Sequence, residues 1–173
     1  MNNKTFPYNL FLIGFMGTGK STIASELSRM LDRPVLEMDA QIVKQEGMSI
    51  PDIFSSRGEP YFRELETNLL IGMQNASPQI VSCGGGVAMR KNNVAEMKKS
   101  GVIILLTASP ETILKRVKHD NNRPLLQGRK TVDDIAALME TRHAAYSEAA
   151  DLTIQTDNKH AKAIAEEILA QLP

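Results

Sequence analysis

Apolar residues along this chain fall into two kinds of block. The first kind is a short continuous run, which suits a strand buried on both faces of a parallel sheet. Asn9-Leu10-Phe11-Leu12-Ile13 is one such run, and residues 35–38, 79–83, 102–107 and 152–154 supply four more. The second kind recurs at helical spacing, as in Ile23, Ala24, Leu27 and Leu31. Phe62, Leu65, Leu69 and the stretch Ile71 to Met73 predict a helix opened by Pro60 and running to about residue 73. Local stop and start signals place the remaining helices. One covers 40–46 and stops at Gly47; another covers 49–54, with Ser49 as cap and Pro51 in its first turn. A helix over about 91–99 ends at Gly101, read as a C′ glycine, and one begins at Ser109-Pro110 and ends near His119. Thr131 with Asp134 resembles a capping box and starts a helix running to about Ala149; a last helix covers 159–171. Asp39, at the end of the second strand, is placed to cap the helix that follows.

Strands alternating with helices predict an α/β chain, a three-layer α/β/α arrangement around a five-stranded parallel sheet. Ligands on such a sheet bind beyond the carboxyl ends of the strands. The most informative segment lies there. Gly14-Phe15-Met16-Gly17-Thr18-Gly19-Lys20-Ser21 fits the phosphate loop G-x-x-x-x-G-K-[ST] in full. Glycines let backbone N–H groups wrap a polyphosphate, Lys20 adds a point charge, and the Ser21 hydroxyl can ligate Mg²⁺. Gly17, Thr18, Gly19, Lys20, Ser21 and Thr22 are therefore the nucleotide-binding candidates, reinforced by the dipole of the helix that follows.

Composition narrows the picture. At 173 residues the chain suits one domain, 1–173. Lysine plus arginine equals aspartate plus glutamate at 20 each, so no global field draws it to nucleic acid or membrane, and any anion site is a local cluster. The single cysteine, Cys83, excludes an intrachain disulfide, and no run reaches a membrane span of roughly 20 apolar residues. The polar N-terminus does not read as a signal peptide, so the expectation is a cytoplasmic monomer. His119, His143 and His160 share no metal-like spacing and are read as surface residues.

Several further motifs accompany the phosphate loop: Glu37-x-Asp39, Phe62-Arg63-x-x-Glu66, Gly84-Gly85-Gly86, Arg123-Pro124-Leu125-Leu126 and Arg142-x-x-x-Tyr146. Together, and in this order, they resemble the shikimate kinase family, small P-loop kinases of aromatic amino-acid biosynthesis. The resemblance implies ATP and shikimate as substrates, one Mg²⁺ ion, and transfer to the 3-hydroxyl to give shikimate 3-phosphate on the way to chorismate. It implies that Arg63 and Arg142 hold the substrate carboxylate, a task that suits the guanidinium fork. It assigns Asp39 to the ring hydroxyls, Gly84, Gly85 and Gly86 to close backbone approach, and Glu66 with Phe62 to support around Arg63. Substrate binding is expected over about 39–66. The loop over about 120–130 is the expected lid, with Arg123 reaching the ATP phosphates, so Lys20, Asp39 and Arg123 are the catalytic candidates. Arg116 and Lys159 match positions near the adenine.

Each of these residues also has a plainer reading. Arg63 and Arg142 in isolation are solvated helix-face arginines, Asp39 is a helix cap, and Glu66 is half of a surface ion pair. Two departures from the family pattern stand out. Glu37 occupies a position where aspartate is usual, and Ser82-Cys83 precedes the glycines where threonine is common. Competing functions are a related kinase acting on another small hydroxylated acid such as gluconate, or a nucleotide-binding module without catalysis. A GTP switch is disfavoured because Asn3-Lys4 and Asn158-Lys159 do not continue into N-K-x-D.

Overall fold

The computed structural model describes residues 6–118 and 131–173. Five parallel strands, β1 (Asn9–Ile13), β2 (Val35–Glu37), β3 (Ile80–Ser82), β4 (Gly101–Thr107) and β5 (Leu152–Gln155), form one sheet in the order β2-β3-β1-β4-β5. The register sets Leu12 of β1 beside Ser82 on one side and Ile104 on the other. Around the sheet lie α1 (Lys20–Leu31), α2 (Met38–Glu46), α3 (Ile50–Arg57), α4 (Glu59–Met73), α5 (Lys91–Ser100), α6 (Pro110–Val117), α7 (Val132–Ala149) and α8 (Ala161–Gln171). A 3-10 turn over Val87–Met89 precedes α5.

The pleat explains the continuous apolar runs. Successive strand residues point to opposite faces, so both must be apolar when both faces are covered. Leu10, Leu12, Ile104 and Ile154 pack against Ile23 and Leu27 of α1 and Ile164 and Ile168 of α8. Phe11, Ile13, Ile103 and Leu105 face the other way, among Leu70 of α4, Met97 of α5, Val117 of α6 and Tyr146 of α7. A third, smaller core of Ile42, Ile53 and Phe62 binds α2, α3 and α4 to one another. That separate core makes the 39–66 region a compact block at the β2 edge of the sheet.

The predicted caps at Ser49, Ser109 and Thr131 form, accepting from the backbone N–H groups of Asp52, Thr112 and Asp134. Gly47 ends α2 in the left-handed conformation at φ 67°. Asp157 binds the start of α6 from the β5–α8 loop, accepting from the Ser109 amide at 3.0 Å and the Thr112 hydroxyl at 2.6 Å.

Three expectations need correction. β2 ends at Glu37 and α2 begins at Met38, whose side chain is fully buried. Asp39 therefore lies inside the first turn of α2, with Glu37 at the cap position. Gly101 is no C′ glycine: it is extended at φ −171° and opens β4. Its role is spatial, since a Cβ there would strike the Asn9 carbonyl and come within 2.7 Å of the Phe11 ring. Ile71, assigned to the apolar face of α4, is 46% exposed. Glu66, read as support around Arg63, is buried completely on that face and accepts from Arg63 at 2.7 Å.

Candidate active site

β1 delivers the chain into the phosphate loop, and all three loop glycines adopt backbone angles that side chains resist: Gly14 at φ 147°, Gly17 at φ 80° and Gly19 at φ 95°. Space is as restrictive as conformation at two of them. A Cβ on Gly14 would lie 2.5 Å from the Leu106 carbonyl oxygen, and one on Gly17 would lie 2.8 Å from Val117. Thr18 is buried and locks the loop by donating to the Phe15 carbonyl at 2.8 Å. Lys20 donates to the Gly14 carbonyl at 2.8 Å and to that of Phe15 at 3.2 Å. Gly19 is the N-cap of α1, so Lys20, Ser21 and Thr22 occupy its first turn, where the positive helix end faces an anion.

Ser21 joins this half of the site to the neighbouring strands. Its hydroxyl donates to Glu37 Oε2 at 3.1 Å and lies 3.4 Å from the Ser82 hydroxyl. Both departures from the family pattern thus meet at one atom. The additional methylene of Glu37 still lets its carboxylate reach Ser21.

The three glycines after β3 are each approached by a different charged group. A Cβ on Gly84 would stand 2.9 Å from Asp39 Oδ1 and 3.0 Å from Glu66 Oε2. One on Gly85 would stand 3.1 Å from Arg142 Nη1, and one on Gly86 would lie 2.7 Å from Arg63 Nη2. The turn is closed by bonds from the Val87 amide to the Gly84 carbonyl and from the Met89 amide to the Gly86 carbonyl. α2 brings Asp39, α4 brings Arg63 and Glu66, and α7 brings Arg142. Tyr146, one turn beyond Arg142, donates to the Gly85 carbonyl at 2.6 Å and ties α7 to the turn. The Arg142 guanidinium lies 5.9 Å from the centre of the Phe15 ring, which belongs to the phosphate loop.

Electrostatics sharpen the picture. Arg63 donates to Glu66 Oε1 at 2.7 Å and to Glu59 Oε1 at 3.2 Å. Burial works against its charge, but the two carboxylates hold its pKa above the ordinary value. Burial pushes Glu66 up, with Arg63 pulling it down and the Asp39 charge pushing further up. Among the described residues, Glu66 Oε2 is buried with no hydrogen-bond partner. Burial likewise raises Tyr146, against the pull of Arg142. Cys83 is fully buried, its thiol pKa raised by the loss of solvent. Phe62 fills the small core beneath Arg63, whose guanidinium lies 5.4 Å from its ring centre.

Not every candidate joins the cluster. Arg116 reaches the loop by donating to the Gly17 carbonyl at 3.1 Å and to the Thr156 hydroxyl at 3.2 Å. Lys159 instead pairs with Glu167 on α8 at 2.7 Å. Arg123, His119 and the 120–130 loop lie outside the described residues. His143 and His160 are exposed, and among the described residues no cluster of three or more His, Cys, Asp or Glu could hold a metal ion. Two polar residues escaped the sequence reading: Ser82 as a partner of Ser21, and Asn93, fully buried in α5. A hydrophilic residue on an otherwise apolar helix stripe is the signal that could have found Asn93.

A parallel sheet carrying a phosphate loop on its central strand, with a second charged cluster on the next strand, defines a P-loop kinase for a small acceptor. Comparison with known proteins narrows the class. A family model described as shikimate kinase matches residues 16–173. The shikimate kinase of Geobacter sulfurreducens is 42% identical over 160 residues, covering 92% of this chain and 88% of that protein. The shikimate kinase of Dehalococcoides mccartyi strain BAV1 is 40% identical over 160 residues, with 92% and 90% covered. A solved shikimate kinase from Acinetobacter baumannii in complex with shikimate is 34% identical, with a TM-score of 0.88 and coverage of 96% of this chain and 94% of that one. The chain belongs to the shikimate kinase family. That membership favours shikimate over gluconate as the acceptor.

Proposed function

We propose that the chain transfers the γ-phosphoryl group of ATP to the 3-hydroxyl of shikimate, giving shikimate 3-phosphate and ADP. The observation that carries this reading is the glycine turn at 84–86. It is bordered in order by Asp39 with Glu66, by Arg142 and by Arg63. Shikimate carries one carboxylate and three ring hydroxyls, and this arrangement complements it. Arg63 and Arg142 form charge-assisted bonds to the carboxylate, each guanidinium offering two parallel donors. Asp39 accepts from the ring hydroxyls and orients the attacking oxygen, while the glycine N–H groups approach the ring from below.

On the donor side, Lys20 exchanges its loop carbonyls for phosphate oxygens and offsets charge on the transferring group. Ser21 and Glu37 present an all-oxygen pair, which fits Mg²⁺. When bound, that ion neutralises phosphate charge. Arg123 completes the phosphate contacts from the 120–130 loop. Arg116, already at the Gly17 carbonyl, borders the adenine side; Lys159 joins it by releasing Glu167. We read the whole chain as one kinase domain working as a cytoplasmic monomer, with its acceptor region over 39–66. In support, among the described residues no helix is long and apolar enough to cross a membrane.

ADP release in the presence of ATP and Mg²⁺ tests the reading, with shikimate, quinate, gluconate and AMP supplied in turn. Stimulation by shikimate above the ATPase background is expected. No stimulation by shikimate, or a stronger one by gluconate, refutes it.

A further inference from the structure

We propose that Asn93 is a positioning residue for the acceptor half of the site, setting the separation between the glycine turn and the helix that carries Arg63. The inference rests on the kinase reading above. Asn93 is 0% exposed and shares the inward stripe of α5 with Met97, one turn further on. Packing alone would be served there by an apolar side chain such as leucine, which branches at the same atom and has no polar atoms to satisfy. The amide is instead bonded at both ends. Its Nδ2 donates to the Val87 carbonyl at 3.0 Å, and its Oδ1 accepts from the Thr67 hydroxyl at 2.6 Å.

Those two partners belong to the two parts that must be held in register. Val87 closes the glycine turn by donating a hydrogen bond from its backbone N–H to the Gly84 carbonyl. Thr67 lies on α4 four residues after Arg63, and its hydroxyl also sits 3.1 Å from the Arg63 carbonyl. A planar amide with a donor on one side and an acceptor on the other fixes both the distance and the orientation of its neighbours. It does so where tolerance is small, because the Arg63 guanidinium presses on Gly86 with no room for a methyl group. Aspartate cannot replace it, since a carboxylate oxygen would then face the Val87 carbonyl. Asn93 touches neither substrate; it acts through α4 and the turn.

Steady-state kinetics of Asn93→Leu, Thr67→Val and Thr67→Ser against wild type test the proposal, with thermal unfolding measured alongside. The expected result is a shikimate KM raised on the order of tenfold in Asn93→Leu and less in Thr67→Val, with the ATP KM within about twofold of wild type. Thr67→Ser keeps the hydroxyl and should restore the wild-type value. If Asn93→Leu does not fold, the Thr67 pair carries the same comparison from a half-buried position. A KM that rises equally for both substrates, or one that stays unchanged while the melting temperature falls, overturns the proposal. Wild-type protein that does not turn over shikimate overturns the functional reading and this inference with it. Wild-type turnover with unselective variants overturns this inference alone.

Discussion

Adding one methyl group at Gly86 should separate the two halves of the site. The backbone there has φ −95° and ψ −3°, a negative-φ conformation that side-chain-bearing residues take at the third position of type I turns, so Gly86→Ala needs no left-handed backbone. The perturbation is spatial. The new Cβ would lie 2.7 Å from Arg63 Nη2 and 2.8 Å from Cζ. Ordinary contact between heavy atoms needs about 3.5 Å and Nη1 is nearer still, so the guanidinium must retreat by roughly 1 Å. It cannot swing far, because Glu66 holds it at 2.7 Å and Glu59 at 3.2 Å. Arg63 then meets the substrate carboxylate off its optimum. A charge-assisted hydrogen bond is worth about 1.5–3 kcal/mol, so loss of one predicts a shikimate KM raised roughly ten- to a hundredfold. ATP sees none of this, and its KM should stay within about twofold. Crowding costs about 1–3 kcal/mol of stability, and melting should fall by a few degrees for each kcal/mol. Coupled ADP-release assays with each substrate varied at saturating levels of the other give both constants. A wild-type shikimate KM in Gly86→Ala would falsify the placement of the carboxylate on Arg63.

Three further perturbations test other parts of the structure. Arg142→Ala should weaken shikimate binding at least tenfold while leaving ATP binding nearly unchanged, as read by calorimetry; equal loss of both refutes its assignment to the acceptor. Glu66 has its pKa raised by burial, so the stability it contributes is full below its unfolded value of about 4.3 and is lost as pH rises through the folded value. Glu66→Gln does not titrate, so its melting temperature should gain on wild type as pH is raised from about 4 to 7, and a constant difference contradicts the burial argument. Asp157 has its pKa lowered, chiefly by the Thr112 hydroxyl and also by the Ser109 amide and hydroxyl. Its contribution is present above its unfolded value of about 3.9 and lost as pH falls through the lower folded value. Asp157→Ala should therefore melt lower than wild type at neutral pH, with the gap closing in acid; a gap that widens in acid refutes the capping role.

Much of the architecture was legible because it rests on local signals. The phosphate loop, the continuous apolar runs and the caps at Ser49, Ser109 and Thr131 act over a few residues, and each is found where its chemistry predicts. The misreadings share a different cause. Met38 turns inward and starts α2 early, which carries Asp39 off the cap and into the helix. Nothing local marks that, since a buried methionine suits a strand end and a helix start equally. Gly101 answers to Asn9 and Phe11 on the adjacent strand, not to the helix before it. Glu66 pairs with Arg63 one turn earlier on its own helix, whereas Asn93 is buried because Val87 and Thr67 on other segments satisfy its amide. The spacing of Asn93 along the chain gives no hint of those partners.

The order of strands has a consequence for how this enzyme could change its acceptor. The phosphate loop hangs from β1 and the glycine turn from β3, which are direct neighbours. The strands that carry them are held at the interstrand distance, about 4.8 Å, by backbone hydrogen bonds common to any sequence. The sheet is therefore a ruler for the transfer, and no side-chain replacement can recalibrate it. What can be rewritten is everything on the acceptor side of the ruler, in α2, α4 and α7. A different acid could be fitted there while the distance its hydroxyl must cross stays the same.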